Sequence, residues 1–199
     1  MTAIEPGAVL LYCPAMNLSK HVFLIGPRAC GKTSVGRALA CRLGCGFVDT
    51  DHAVVAAVGM EIAAYVAQHG WDAFRDRETE ALERAVASSD GAVVGCGGGI
   101  VLRQRNRDIL KTGITLYLEA SVKTLAARLA QNPNEAQRPS LTGRPLLDEV
   151  REILAERAPL YEACADAILP EAELDQIVTL AETEVRRLGG LFDGRGDRE

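Results

Sequence analysis

Gly26 is followed after four residues by Gly31, Lys32 and Thr33, and residues of these types at this spacing suit one chemistry above others. Backbone N–H groups of such a loop can curl round an anion, and a helix opening directly behind it turns the positive end of its dipole to the same point. In that reading Gly26, Pro27, Arg28, Ala29, Cys30, Gly31, Lys32, Thr33 and Ser34 make up a phosphate cradle. Lys32 reaches the β- and γ-phosphates of a nucleotide, and the Thr33 hydroxyl ligates Mg²⁺. The alternative is a glycine-containing turn that fits by chance. Against it stand the flanks: Val22 to Ile25 is a short apolar run with β-branched members, as in a buried parallel strand, and Val35, Leu39 and Leu43 recur at helical spacing behind the loop.

Two further groups could carry chemistry. Asp49 and Asp51 flank Thr50 behind the strand-like Phe47 and Val48, where a carboxylate pair can support a magnesium shell and orient an attacking hydroxyl, or can simply cap a helix or solvate a turn. Gly97, Gly98 and Gly99 follow the apolar run from Val93 to Cys96, and they allow either close approach of a ligand to the backbone or a plain tight turn. Two helical stripes then carry charge where apolar residues belong. Trp71, Phe74, Leu82, Ala85 and Val86 are completed at helical spacing by Arg75 and Glu78, while Val150, Ile153, Leu154 and Tyr161 are interrupted by Arg157. A desolvated arginine needs a carboxylate, a route to solvent or a ligand. An Arg75–Glu78 salt bridge one turn apart is one solution. A pair of inward arginines gripping a small carboxylate or phosphate in bidentate fashion is the other.

Elements must position these residues. Apolar runs HVFLI, GFVDTD, AVVGCGGG, ITLYLE and ADAILP alternate with helical stretches, an order that predicts an α/β fold with a parallel sheet covered by helices on both faces. In open sheets of that kind, ligands gather at the carboxyl ends of the strands, where the three loop groups above fall. Residues 1–19 read as an irregular extension and 189–199 as a polar, glycine-rich tail. The stretch 131–146, with three prolines, one glycine and two arginines but no helical period, reads as a mobile flap.

With 199 residues, 48% of them hydrophobic and 25% charged, the chain is long enough for one domain with a substantial core. A net charge of −5 argues against a non-specific nucleic-acid binder. No apolar run is long enough to span a bilayer, and the first residues lack the basic start of a secretory signal, so no membrane partner and a cytoplasmic location are expected. Cys13, Cys30, Cys41, Cys45, Cys96 and Cys164 form no CxxC pair, which points to reduced thiols, and the three scattered histidines suggest no metal cluster.

The segments GPRACGKTS, FVDTD, FRDRE, CGGGI, RPSLTG and ERAPLY, in this order, resemble the motifs of shikimate kinases, and GPR with RPSLTGRPL is similar to the second bacterial isozyme type. The resemblance spans roughly residues 20–165. It implies a three-layer P-loop kinase fold like that of the nucleoside monophosphate kinases, with a five-stranded parallel sheet. The kinase domain would cover 20–188, with a substrate-binding region about 50–80 and a mobile lid about 131–146. It also implies an enzyme that phosphorylates the 3-hydroxyl of shikimate with ATP and Mg²⁺, a step towards chorismate and the aromatic amino acids; a monomer is expected. By the same resemblance, Asp51 binds the reacting hydroxyl as base or orienter, and Asp49 helps Thr33 hold the metal. Arg75 and Arg157 grip the shikimate carboxylate, and Gly97, Gly98 and Gly99 contact the ring hydroxyls. Arg138 closes over the ATP phosphates from the lid, and Lys32 stabilises the moving phosphoryl group. Three places depart from the family pattern: Cys96 stands where Ser or Thr is common, ILPEAEL replaces an Asp-containing segment near the adenine, and the spacing around Arg128 is different. The rival expectations are another small-molecule kinase of this fold, such as gluconate kinase, and a non-catalytic nucleotide-binding module; a guanine-reading NKxD motif is missing.

Overall fold

In β1 (Val22–Ile25) every side chain is buried, as a strand with helices on both faces requires. Alternate residues point to opposite sides: Val22 and Leu24 join one core cluster, Phe23 and Ile25 another. The same step of two divides β3 (Ala92–Gly95), with Val93 on the first side and Val94 on the second. It also divides β4 (Ile114–Leu118), where Leu116 and Leu118 oppose Tyr117. The computed structural model describes residues 18–87, 91–131 and 145–189.

With β2 (Gly46–Asp49) and β5 (Ala167–Leu169) the sheet has five strands in the order β2-β3-β1-β4-β5, and all its pairings are parallel. On one face, α1 (Lys32–Leu43) contributes the expected stripe of Val35, Leu39 and Leu43, packed with Ile177, Val178, Ala181 and Val185 of α7 (Leu174–Arg187). On the other face lie Leu82 of α3 (Ile62–Val86), Ile100 and Val101 of a short 3-10 turn, Leu110 of α4 (Gln104–Leu110) and Tyr161 of α6 (Leu146–Cys164). Full burial of a Leu, Ile or Phe side chain stabilises by about 1.5–3 kcal/mol, so the central strands form a firm floor beneath the loops at their ends.

A third, smaller cluster unites α2 (Thr50–Val58) with the first part of α3 through Val54, Ile62, Val66 and Phe74. The apolar stripe first read from Trp71 belongs to a helix that begins earlier, at Ile62, and bends at Gly70, whose φ of 81° and ψ of 170° suit a residue without a Cβ. Ile62 and Val66 before the bend and Phe74 and Ala81 beyond it all share the cluster with α2, while Leu82 reaches the sheet. The segment read as a lid is bounded by α5 (Val122–Gln131) and α6; its residues 132–144, Arg138 among them, lie outside the described residues. So do residues 1–17 and 190–199, most of the expected extension and tail. Among the described residues no single helix is long and apolar enough to cross a bilayer.

Candidate active site

The sheet order places β2, β3 and β1 side by side, so the three loop groups that the chain carries far apart end at one edge. Behind β1 the loop needs positive φ at Gly26 (140°), Ala29 (64°) and Gly31 (108°). At Gly26 a Cβ would stand 2.6 Å from the Leu118 carbonyl oxygen of β4, so both conformation and space demand glycine there. Gly31 caps α1 without a side-chain hydrogen bond, which leaves the first helical N–H groups to an anion. Lys32 Nζ lies over the loop and donates to the carbonyl oxygens of Gly26 at 2.9 Å and Pro27 at 2.7 Å. A second cation arrives from α5: Arg128 Nη1 donates to the carbonyls of Ala29 at 3.1 Å and Cys30 at 3.2 Å. Sequence spacing left the place of Arg128 open, because nothing in a helical period says which distant loop a helix end will face.

At the end of β2 the carboxylate pair straddles the change from strand to helix. The strand stops at Asp49 and the chain turns into α2 at Thr50, so Asp51 belongs to the first turn of a helix. Asp49 fills two of the roles anticipated for this pair. Its Oδ1 accepts from the backbone N–H of Asp51 at 3.0 Å and His52 at 3.3 Å, which caps α2, while Oδ2 accepts from Thr33 Oγ1 at 2.8 Å. This hydroxyl–carboxylate pair at the foot of the phosphate loop suits Mg²⁺, which takes few protein oxygens and completes its shell with water and phosphate. Among the described residues no group of three or more His, Cys, Asp or Glu could form a closed metal cage.

Behind β3, Gly97 N donates to Thr50 Oγ1 at 2.9 Å and ties the glycine run to the start of α2. A Cβ at Gly97 would meet Glu78 Oε1 and would stand 2.9 Å from Asp51 Oδ1, so two carboxylates converge on this backbone. A Cβ at Gly99 would overlap the Arg75 guanidinium. Glu78 is 1% exposed, and its Oε2 accepts from Arg75 Nη1 at 2.7 Å. The salt bridge weighed as the bland alternative is therefore present. It does not remove Arg75 from the pocket: its guanidinium also lies 5.3 Å from the ring centres of Trp71 and Phe74. Burial pushes the Glu78 carboxyl above its ordinary range, against the nearby Arg75 charge. Glu78 Oε1 has no hydrogen-bond partner among the described residues.

Arg157, 8% exposed, meets no carboxylate hydrogen-bond acceptor among the described residues. Its Nη1 donates to the Gly98 carbonyl at 3.3 Å, and its Nε is buried without a hydrogen-bond partner there. Tyr161, one turn further along α6, donates its hydroxyl to the same carbonyl and stacks on Tyr117 with ring centres 5.1 Å apart. Burial raises the Cys96 thiol far above its usual value, so this residue stays a neutral thiol where a hydroxyl was the family expectation.

The residues line two cavities. The larger, of about 1290 Å³, runs from the phosphate loop past Thr33 and Asp49 to Arg128 and the segment after β5. The smaller, of about 360 Å³, holds Trp71, Arg75, Glu78 and Arg157. Both reach Asp51 and Gly98. Cavities that meet at one carboxylate are what transfer between two ligands needs, and with a phosphate loop in the larger, fold and site define a small-molecule kinase of the P-loop class.

Comparison with known proteins narrows the class. A family model described as shikimate kinase matches residues 28–185, and the chain belongs to the shikimate kinase family. It is 52% identical over 160 residues to a shikimate kinase of Nitratidesulfovibrio vulgaris, covering 79% of this chain and 91% of that protein. It is 42% identical over 176 residues to shikimate kinase 2 of Yersinia enterocolitica, covering 85% and 100%. Among solved structures, the shikimate kinase of Acinetobacter baumannii in complex with shikimate superposes with a TM-score of 0.76 at 31% identity, covering 85% of this chain and 92% of that one.

Proposed function

We propose that this protein transfers the γ-phosphoryl group of ATP to the 3-hydroxyl of shikimate. The observation that carries the reading is the small cavity: Arg75 and Arg157, two of the three arginines in its lining, stand in a pocket that shares Asp51 with the phosphate-loop cleft. A planar fork suits a carboxylate, and the Nε of Arg157, buried without a hydrogen-bond partner among the described residues, is a donor that one would satisfy.

In this reading the loop N–H groups and Lys32 hold the β- and γ-phosphates, and Thr33 and Asp49 hold Mg²⁺. A magnesium ion held there would neutralise phosphate charge and align the terminal phosphorus. Arg75 and Arg157 fix the acid by its carboxylate, and Glu78 fixes Arg75. Asp51 orients the acceptor hydroxyl and takes its proton. The hydroxyl oxygen then bonds to the γ-phosphorus, the bond from that phosphorus to the β,γ-bridging oxygen breaks, and ADP departs with the electron pair. Lys32 follows the charge on the group in flight, and Arg138 of the 131–146 segment completes the cations in the role the family resemblance gives it. Positioning and charge compensation do most of this chemistry. An acceptor panel tests the reading: release of ADP is expected with shikimate and not with gluconate or without an acceptor. Faster release with gluconate, or release that ignores the acceptor, would overturn it.

A further inference from the structure

Four described residues line both cavities: Arg28, Asp51, Ile62 and Gly98. Whatever passes from the nucleotide to the acceptor crosses this seam. Its backbone parts are in close contact, since a Cβ at Gly98 would stand 3.3 Å from Arg28 N and 3.7 Å from the Gly26 carbonyl oxygen. Among the described residues, Arg28 is the one cation common to both linings. Its Nε and Nη2 are buried although the residue as a whole is half-buried, so part of the guanidinium is held inside the wall between the cavities.

The other cations have places elsewhere. Lys32 lies on the loop carbonyls, Arg128 braces the loop from the nucleotide side, and Arg75 and Arg157 are at the acid end. A phosphoryl group in flight spreads negative charge over its equatorial oxygens, and that charge is largest at the seam, between donor and acceptor. A planar guanidinium can contact two of those oxygens at once. Building on the shikimate-phosphorylating reading above, we propose that the Arg28 side chain is a further catalytic residue, contacting the phosphoryl group as it crosses and the phosphate of the product once it has arrived.

The inference has a signature that a merely structural loop residue would lack. Shikimate carries no phosphate and its 3-phosphate does, so removal of Arg28 should weaken the product selectively. Binding can be read without turnover from the fluorescence of Trp71, the single tryptophan, which lies beside Arg75. In Arg28→Met, kcat should fall about a hundredfold, while KM for ATP and the Kd for shikimate stay within about threefold. The Kd for shikimate 3-phosphate should rise more than tenfold. An unchanged ratio of product to substrate affinity, or a rise in KM for ATP as large as the loss in kcat, would overturn the proposal. Should the Met variant not fold, Arg28→Lys keeps the charge and loses the fork: a reduced kcat with weakened product affinity supports the inference, and wild-type values for both refute it. Shikimate-dependent ADP release by the unaltered enzyme is measured in parallel, so failure of the functional reading is distinct from failure of the Arg28 assignment.

Discussion

Arg157 separates function from structure most cleanly. Its position in the stripe of α6 is apolar by period, and its hydrogen bond goes to a carbonyl that Tyr161 also serves, so Arg157→Met leaves the Gly98 oxygen satisfied. Replacing a buried charge by an apolar side chain is often neutral or stabilising. The melting temperature should therefore hold or rise, while KM for shikimate rises about a hundredfold and KM for ATP moves little. Arg157→Lys should fail almost as badly, because an ammonium lacks the planar fork. A destabilised variant with normal KM for shikimate would contradict the carboxylate clamp. Glu78 gives a test by pH. Burial raises its carboxyl above the ordinary value, with the Asp51 charge adding and Arg75 and Arg157 opposing. A raised carboxyl binds its proton more tightly in the folded state, so its contribution to stability is complete below the ordinary carboxylate pKa and lost as pH climbs through the raised one. Glu78→Gln keeps an acceptor for Arg75 and cannot ionise. The melting temperature of the wild type minus that of the variant should fall as pH rises from 4 towards 8; a difference that grows with pH would mean the Arg75 pairing outweighs burial.

At the scale of elements, the glycine run and α3 fit because Gly99 has no side chain. An added methyl would overlap the far end of Arg75, which can move, and the φ of −100° at Gly99 accepts alanine. Gly99→Ala should therefore unfold at nearly the wild-type temperature but show KM for shikimate raised tenfold or more through a displaced Arg75. A large loss of melting temperature with unchanged KM would assign Gly99 to packing alone. The strands and the α1 stripe were legible in the sequence, since a step of two in β1 and β4 and a step near 3.6 behind the phosphate loop record local burial. The inward placement of Arg75, Glu78 and Arg157 was legible for the same reason. The brace from Arg128 to the loop was not, because it joins residues 99 and 98 positions apart. The cap at Asp49 was one of the roles open to the Asp pair in the sequence, but a cap residue's type alone does not say that the strand ends there. The bend at Gly70 also escaped, since a helical period continues on both sides of it.

For the molecule as a whole, the function follows from strand order. Chain order runs from the phosphate loop to the Asp pair to the glycine run, but the sheet sets β3 between β2 and β1, so the glycine run lies between phosphate loop and Asp pair. Period and motif do not encode that permutation; the parallel pairing of β3 with both neighbours does. Its consequence is two cavities with a common wall, one sized for a nucleotide and one for a small acid. The most direct measurement is of the product itself: incubate the protein with ATP, Mg²⁺ and shikimate, and follow phosphorus by NMR as ADP accumulates. The account expects one phosphomonoester on the 3-hydroxyl of shikimate for each ADP formed, with little inorganic phosphate. ADP matched by inorganic phosphate, with shikimate unmodified, would show that nothing crosses between the cavities and would contradict it.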